Sequence, residues 1–275
     1  MEGTFPARIR EAPPMPTLEV EPGIRLAYTD QGTGQPLVFV HGFGGSGDSW
    51  RRQVAALSDR FRVITVDLRG HGRSTRSSTP AEYGAFVHDL RALFTELDLR
   101  DVTLIGWSMG GHIALKYALD IGDPVTRLVL TGSGPRFKPE PGDPLAAAVQ
   151  GVAALLGGMG GRPGATPAAT GEADLLGTLD KLSTLGLPPQ IAAGLGTFRG
   201  MVAEDLTDRL PTLTVPLAVF TGRRDPVWPP RSSEALVALI PGAELHVFER
   251  SGHAAFADEA DAWNAALLRF IAAHP

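Results

Sequence analysis

The fold is decided by the stretch VTLIGWSMGG at Val102–Gly111. Its first four residues are apolar or β-branched and predict a buried strand, and the residues from Met109 onward predict a helix. Glycines two positions before and after Ser108 predict a tight turn that exposes the serine hydroxyl. A Gly-x-Ser-x-Gly match alone is weak, because a strand-to-helix turn with a capping serine has the same residues. The strand and helix on either side favour Ser108 as a nucleophile.

Strand and helix patterns alternate along much of the chain. Apolar residues at helical spacing predict longer helices at Glu82–Leu97, Met109–Leu119 and about Phe256–Ile271. Short apolar runs bounded by turn residues predict eight strands, of which the first two form an opening hairpin: Leu18–Val20, Arg25–Thr29, Leu37–Val40, Arg62–Val66, Val102–Ile105, Leu128–Leu130, Leu217–Phe220 and Glu244–Phe248. This order is typical of an α/β protein with a mostly parallel eight-stranded sheet and helices on both faces.

The alternation lapses between residues 135 and 210. Helical patterns follow one another there without a strand, at Leu145–Leu156, Ala173–Leu185 and Pro189–Leu210. Between them, Gly157–Gly171 is so rich in Gly, Ala, Pro and Thr that we expect it to be mobile. The predicted organisation is a flexible leader (1–16), an α/β core (17–134 and 211–275) and a helical cap (135–210).

Length and composition restrict the class of protein. With 275 residues, 43% hydrophobic and 20% charged, the chain is expected to form one globular domain with an insertion. A net charge of -5 gives no reason to expect a nucleic-acid partner or an anionic membrane surface. There is no cysteine, and no apolar run approaches the about 18 residues of a membrane helix. We therefore expect a cytoplasmic monomer or homodimer that acts on a small molecule.

A serine nucleophile needs two further groups. A base must take its proton, and an acid must hold the other N–H of the base. Asp225 follows the predicted strand Leu217–Phe220, in the segment Gly-Arg-Arg-Asp-Pro, and His253 follows the last predicted strand. The competing interpretation of Asp225 is a loop aspartate paired with Arg223 or Arg224.

These motifs, in this order, resemble the α/β-hydrolase family over the whole chain from Leu18 onward. The resemblance implies that Ser108 is the nucleophile, His253 the general base and Asp225 the acid that orients the histidine. Some members carry the acid after the preceding strand, but residues 131–134 here read Thr-Gly-Ser-Gly and contain no carboxylate.

The segment HGFGG at His41–Gly45 is similar to the family's oxyanion loop. The resemblance implies that the backbone N–H groups of Phe43 and Met109 hold the oxyanion, the latter at a helix N-terminus. Asp67–Ser74 is similar to a mainly structural segment of the family. The chain departs from the family at Ala255 and Ala260, where many relatives have prolines.

The remaining histidines and aromatic residues have simpler interpretations. We expect His41 and His71 to brace loops, and we expect packing or solvation for the other four: His88, His112, His246 and His274. Four aromatic side chains near the triad are candidates for substrate binding, although core packing is an equally good interpretation of the first two: Trp107, Trp228, Phe43 and Phe256. No metal or dinucleotide motif is found, so no metal or cofactor is predicted.

The reaction that follows is hydrolysis of a small, largely apolar carboxylic ester or lactone through an acyl-enzyme. The same triad serves carbon–carbon bond hydrolases of diketones and perhydrolases, and the sequence does not choose among them. A small-molecule receptor with a hydrolase fold is the alternative from another class.

Overall fold

The computed structural model describes residues 15–77, 81–137, 176–177, 179 and 188–275. Within them, eight strands form one sheet in the order β1-β2-β4-β3-β5-β6-β7-β8. In chain order the strands are β1 Thr17–Glu21, β2 Ile24–Gln31, β3 Pro36–Val40, β4 Arg62–Val66, β5 Val102–Trp107, β6 Val125–Thr131, β7 Leu217–Gly222 and β8 Glu244–Phe248. The two pairs that involve β2 are antiparallel and the other five pairs are parallel, which confirms the predicted mostly parallel sheet.

Helices cover both faces of the sheet. In the described part of the chain they are α1 Arg51–Leu57, α2 Ala85–Glu96, α3 Met109–Asp120, α4 Pro189–Ala203, α5 Pro230–Ala238, α6 Ala255–Asp258 and α7 Ala260–Ala273, with 3-10 turns at Gly47–Trp50 and Thr207–Thr212. Because successive strand residues point to opposite faces, each strand contributes to two cores. Val38 belongs to the core with α2 and α3, whereas its neighbour Leu37 belongs to the core with α7.

Several helices differ from their predicted bounds. The predicted C-terminal helix is divided into α6 and α7 at Glu259, whose backbone leaves the helical region (φ -124°, ψ 51°). The Glu259 carboxylate accepts hydrogen bonds from Arg250 N (2.8 Å) and Ser251 Oγ (2.7 Å), so it braces the loop that leads to His253. The short helices α1 and α5 have no counterpart among the predicted elements.

The helical pattern at Pro189–Leu210 ends early, since α4 stops at Ala203. Leader residues 1–14, the pattern at Leu145–Leu156, the mobile stretch predicted at Gly157–Gly171 and all but three residues of the pattern at Ala173–Leu185 lie outside the described residues. No described helix has the length and apolarity to cross a membrane.

The topology places the candidate site residues at one edge of the sheet. The carboxyl ends of parallel strands meet at the same edge of a sheet. The loops after β3, β5, β6, β7 and β8 therefore converge there, and they carry Phe43, Ser108, Gly132, Asp225 and His253 respectively.

Candidate active site

Ser108 occupies the turn between β5 and α3. Its backbone has φ 53° and ψ -121°, a conformation that costs a non-glycine residue about 1–3 kcal/mol and persists only where the surroundings enforce it. Ser108 N–H donates to the carbonyl of Thr131 (3.1 Å), and the Ser133 hydroxyl donates to the carbonyl of Ser108 (2.7 Å). The loop after β6 thus holds the strained turn.

His253 and Asp225 are brought together by the loops after β8 and β7. The two side chains are joined by a hydrogen bond of 2.8 Å between His253 Nδ1 and Asp225 Oδ2. The other carboxylate oxygen, Oδ1, accepts the backbone N–H groups of Val227 and Trp228, each at 2.8 Å. Since a carboxylate engaged in this way is an acceptor, His253 Nδ1 carries the proton and Nε2 presents a lone pair. A general base requires this tautomer.

Trp107 connects the turn at Ser108 to the loop that carries His253. It precedes Ser108 in the chain, and its indole N–H donates to the main-chain carbonyl of His253 (2.9 Å). The Trp107 and His253 ring centroids lie 5.6 Å apart. On its other side the indole packs edge-on against Phe256, with centroids 5.1 Å apart.

The loop after β3 lies against Ser108. A Cβ atom on Gly42 would stand 3.0 Å from Ser108 Cβ, so the loop passes at contact distance from the turn at Ser108. The Phe43 and Met109 N–H groups have no acceptor among the described residues, and Met109 is the first residue of α3, where helix amides lack intrahelical partners. Both groups are therefore available to an anionic oxygen.

His41 holds that loop in place. The Leu68 N–H donates to His41 Nε2 (3.0 Å), so the proton is on Nδ1, which donates to the Gly42 carbonyl (2.7 Å). Burial lowers the pKa of His41 to about 4, because the charged ring loses its hydration. The imidazole is neutral near pH 7, in agreement with the loop-bracing interpretation.

A cavity of about 20 Å³ adjoins Ser108. That volume accommodates little more than one water molecule, which needs about 10–15 Å³. Aromatic rings form one side of it: Phe198 on α4 packs on Phe43 and Phe137, with centroid distances of 5.2 and 5.8 Å. Met201, also on α4, completes this apolar side.

Of the four aromatic candidates for substrate binding, Phe43 and Trp228 line the cavity. Trp107 and Phe256 do not contribute to its described wall. Phe256 is 2% exposed and packs on Trp50 with centroids 4.2 Å apart, so it belongs to the core behind the site.

His112 lines the cavity, although the sequence predicted only packing or solvation for it. Its Nε2 donates to the carbonyl of Pro135 (3.1 Å), and its Nδ1 accepts the Tyr83 hydroxyl (2.9 Å). Burial lowers the pKa of His112 to about 4. The Pro135 carbonyl also accepts Leu206 N–H (2.9 Å), so this network ties together the two ends of the insertion. Nothing in the sequence near His112 indicates these partners.

The sequence profile of the α/β-hydrolase fold family matches residues 35–260. The chain belongs to this family. This hydrolase is 32% identical over 262 residues to a pimeloyl-[acyl-carrier protein] methyl ester esterase of Vibrio cholerae. The alignment covers 89% of this chain and 97% of that esterase. It is 33% identical over 262 residues to a putative non-heme chloroperoxidase of Synechocystis, in an alignment that covers 90% of this chain and 95% of the relative. The solved structure of an esterase from Exiguobacterium antarcticum is 29% identical in sequence and superposes with a TM-score of 0.73. The superposition covers 93% of this chain and 98% of that esterase.

The hydrolase is thus an esterase- or lactonase-like member of its family, as the resemblance implied. At the two positions where many relatives have prolines, Ala255 begins α6 and Ala260 begins α7. Among the described residues no cluster of three potential metal ligands occurs.

Proposed function

We propose that this hydrolase is a serine carboxylesterase that cleaves small, largely apolar esters or lactones through an acyl-enzyme on Ser108. The observation that carries the proposal is the hydrogen bond of 2.8 Å between His253 Nδ1 and Asp225 Oδ2, which leaves Nε2 as the basic nitrogen. The strained conformation of Ser108 supports the same role, because strain of this kind clusters at reactive residues.

The proposed first half-reaction forms the acyl-enzyme. Ser108 Oγ attacks the carbonyl carbon while His253 Nε2 takes the hydroxyl proton, and the carbonyl electron pair moves onto oxygen. The Phe43 and Met109 N–H groups stabilise that oxyanion. Its collapse breaks the bond to the alkoxide, which receives the proton from the imidazolium and leaves as the alcohol; in a lactone it stays attached through the acyl chain.

The second half-reaction returns the free enzyme. Water attacks the acyl carbon, and His253 Nε2 takes one of its protons. The second tetrahedral intermediate then expels Ser108 Oγ, which recovers its proton from the imidazolium as the carboxylic acid departs. Asp225 holds the Nδ1–H of His253 and stabilises the imidazolium in both halves.

The insertion at residues 135–210 is proposed as a cap that sets substrate choice. Supporting this, Phe198 and Met201 of α4 stand in the wall of the cavity beside Ser108. A cavity of about 20 Å³ is smaller than an acyl chain, so side chains of this wall, Phe198 among them, are proposed to shift when a substrate binds. Other apolar residues of the same insertion, Leu155, Leu156, Leu182 and Leu185, lie outside the described residues.

The test is a panel of p-nitrophenyl esters, lactones and diketones with wild type and Ser108→Ala, beside fluorophosphonate labelling. We expect ester turnover to fall on the order of a thousandfold or more in kcat, and labelling to be lost. Ser232→Ala, a serine on α5, is the matched control and should keep both. Wild-type rates in Ser108→Ala would refute the proposal, and absence of turnover with tight binding of a panel compound would favour a receptor.

Perhydrolysis is a second candidate, favoured by the 33% identity to a putative chloroperoxidase. In that reaction hydrogen peroxide replaces water as the nucleophile toward the acyl-enzyme, and a peracid leaves instead of the acid. Peracid formation from an acetate ester and peroxide, measured beside hydrolysis in the same assay, decides between the two. A peracid yield no higher than that of the Ser108→Ala control would exclude it.

A further inference from the structure

Trp228, a residue in the wall of the cavity beside Ser108, carries a buried donor without a partner. It is the indole N–H of Trp228, a residue only 9% exposed, and no described residue accepts its hydrogen bond. A buried donor left unmatched is costly, so such a group at a binding site indicates an acceptor supplied by a ligand.

The indole is rigidly placed. The backbone N–H of Trp228 donates to Asp225 Oδ1 (2.8 Å), an oxygen of the carboxylate that also holds His253. A Cβ atom on Gly134 would overlap Trp228 Cζ2 and lie 3.1 Å from Cε2, the carbon bonded to the indole nitrogen. Gly134 itself lines the cavity. The six-membered part of the ring therefore lies against Gly134, and glycine is required there for the ring to fit.

We propose that the Trp228 indole N–H donates a hydrogen bond to an oxygen atom in the acyl part of the substrate. The preferred substrates are then esters whose otherwise apolar acyl chain carries a keto or ether oxygen. This inference rests on the proposed esterase function. The acyl part is assigned because it stays bound to Ser108 beside this cavity until water attacks, whereas the alcohol leaves first. The rest of the apolar wall, including Phe137 and Phe198, suits the hydrocarbon of the chain.

Trp50 provides the matched control. Its indole N–H is likewise buried without a described acceptor. It packs in the core against Phe256 and Trp263, with centroids 4.2 and 5.8 Å away, and it is not part of the described cavity wall. An effect of a buried indole N–H on stability would appear in both Trp→Phe variants, whereas recognition of substrate would appear only at Trp228.

The experiment measures kcat/KM for pairs of p-nitrophenyl esters of equal chain length, in which one chain methylene is kept or replaced by an ether oxygen or a carbonyl. Oxygen is moved along the chain in successive pairs. For at least one position, Trp228→Phe should lower the oxygen-to-methylene ratio about tenfold relative to wild type, because the ester's intrinsic reactivity cancels in the comparison. Trp50→Phe should leave the ratio unchanged.

A second variant covers the case in which Trp228→Phe does not fold. Gly134→Ala displaces the indole and should lower the same ratio. Unchanged ratios at every position in whichever variant folds would overturn the proposal, as would an effect confined to oxygen on the alcohol side. If Ser108→Ala abolishes hydrolysis while those ratios stay constant, only this inference fails; if Ser108→Ala remains active, the proposed function itself fails.

Discussion

The indole N–H of Trp107 donates a hydrogen bond of 2.9 Å to the main-chain carbonyl of His253. The residue before the proposed nucleophile thereby holds the loop that carries the proposed base. The motif that contains Ser108 therefore also contains, one residue earlier, a side chain that binds a segment 146 residues away in the sequence. We infer that Trp107 is a positioning residue for catalysis.

Trp107→Phe should therefore lower kcat about tenfold and leave KM nearly unchanged, because the ring packing on Phe256 is kept while the His253 loop loses its hydrogen bond. Steady-state kinetics with a p-nitrophenyl ester measure both constants. Trp50→Phe, in the core behind the site, controls for general loss of packing. A rise in KM at constant kcat would instead assign Trp107 to substrate binding.

Asp225→Asn should lower kcat on the order of a thousandfold or more. An amide can still accept the N–H groups of Val227 and Trp228, but it presents an NH2 group to His253 Nδ1 and so favours the tautomer with the proton on Nε2. Kinetics and a circular dichroism spectrum separate this effect from unfolding. An asparagine variant that keeps a tenth or more of wild-type kcat would contradict the assignment of the acid.

Gly132→Ala should damage catalysis beyond its cost in stability. A Cβ atom there would lie 3.0 Å from His253 Nδ1 and 3.1 Å from Asp225 Oδ2, and the residue has φ +54°. Gly242→Ala is the matched control, since it has φ +82° with nothing within 4 Å of the added atom. Both variants should lose about 1 kcal/mol of unfolding free energy from backbone strain. Only Gly132→Ala should lose kcat, and equal kcat in the two would show that the ring and carboxylate tolerate the methyl group.

Phe198→Leu should move the acyl preference toward longer chains. The ring of Phe198 fills the space between Phe43 and Phe137, and a smaller side chain leaves room for additional methylenes. We expect kcat/KM for a hexanoate ester, relative to an acetate ester, to rise about tenfold. Phe270→Leu on α7 makes the same change in the other core and should leave the ratio unaltered. An unaltered ratio in Phe198→Leu would count against the proposed cap.

Stability should fall as the pH is lowered from about 6.5 toward 4. His41 and His112 are buried, and burial lowers the pKa of each to about 4 in the folded protein. Between about pH 6.5 and 4 the unfolded chain binds protons that the folded protein does not, so the free energy of unfolding decreases with falling pH. Each histidine contributes on the order of 3 kcal/mol over the interval.

Urea unfolding of wild type and His112→Gln at several pH values between 7 and 4 measures this slope. In His112→Gln the free energy of unfolding should depend less on pH, because the contribution of one buried histidine is removed. The variant His88→Gln, at an exposed position, should keep the wild-type slope. Identical slopes in all three proteins would show that His112 does not contribute.

Local sequence pattern was sufficient for the sheet and for the chemical groups of the proposed site. Sequence pattern located all eight strands. The strands from β3 to β7 were found as apolar runs, because a buried parallel strand is largely apolar and ends where the chain turns. The antiparallel strands β1 and β2 are only partly buried, and the turn residues between them marked their hairpin. The Gly-x-Ser-x-Gly turn pointed to Ser108, whereas the resemblance to the family pointed to Asp225 and His253 in the loops after β7 and β8, and their roles stay predictions. The division of the C-terminal helix at Glu259 was missed, because the cause is a carboxylate that binds a loop nine residues earlier in the chain.

Only the tertiary structure separated four similar aromatic candidates. Phe43 and Trp228 line the cavity, whereas Trp107 clamps His253 and Phe256 packs in the core. It also showed that Asp225 binds His253 across 28 residues while Arg223 pairs with Glu249, which excludes Arg223 as the partner of Asp225. These outcomes depend on contacts between residues distant in sequence, which arise from how the loops converge at the sheet edge and leave no periodic trace in the chain.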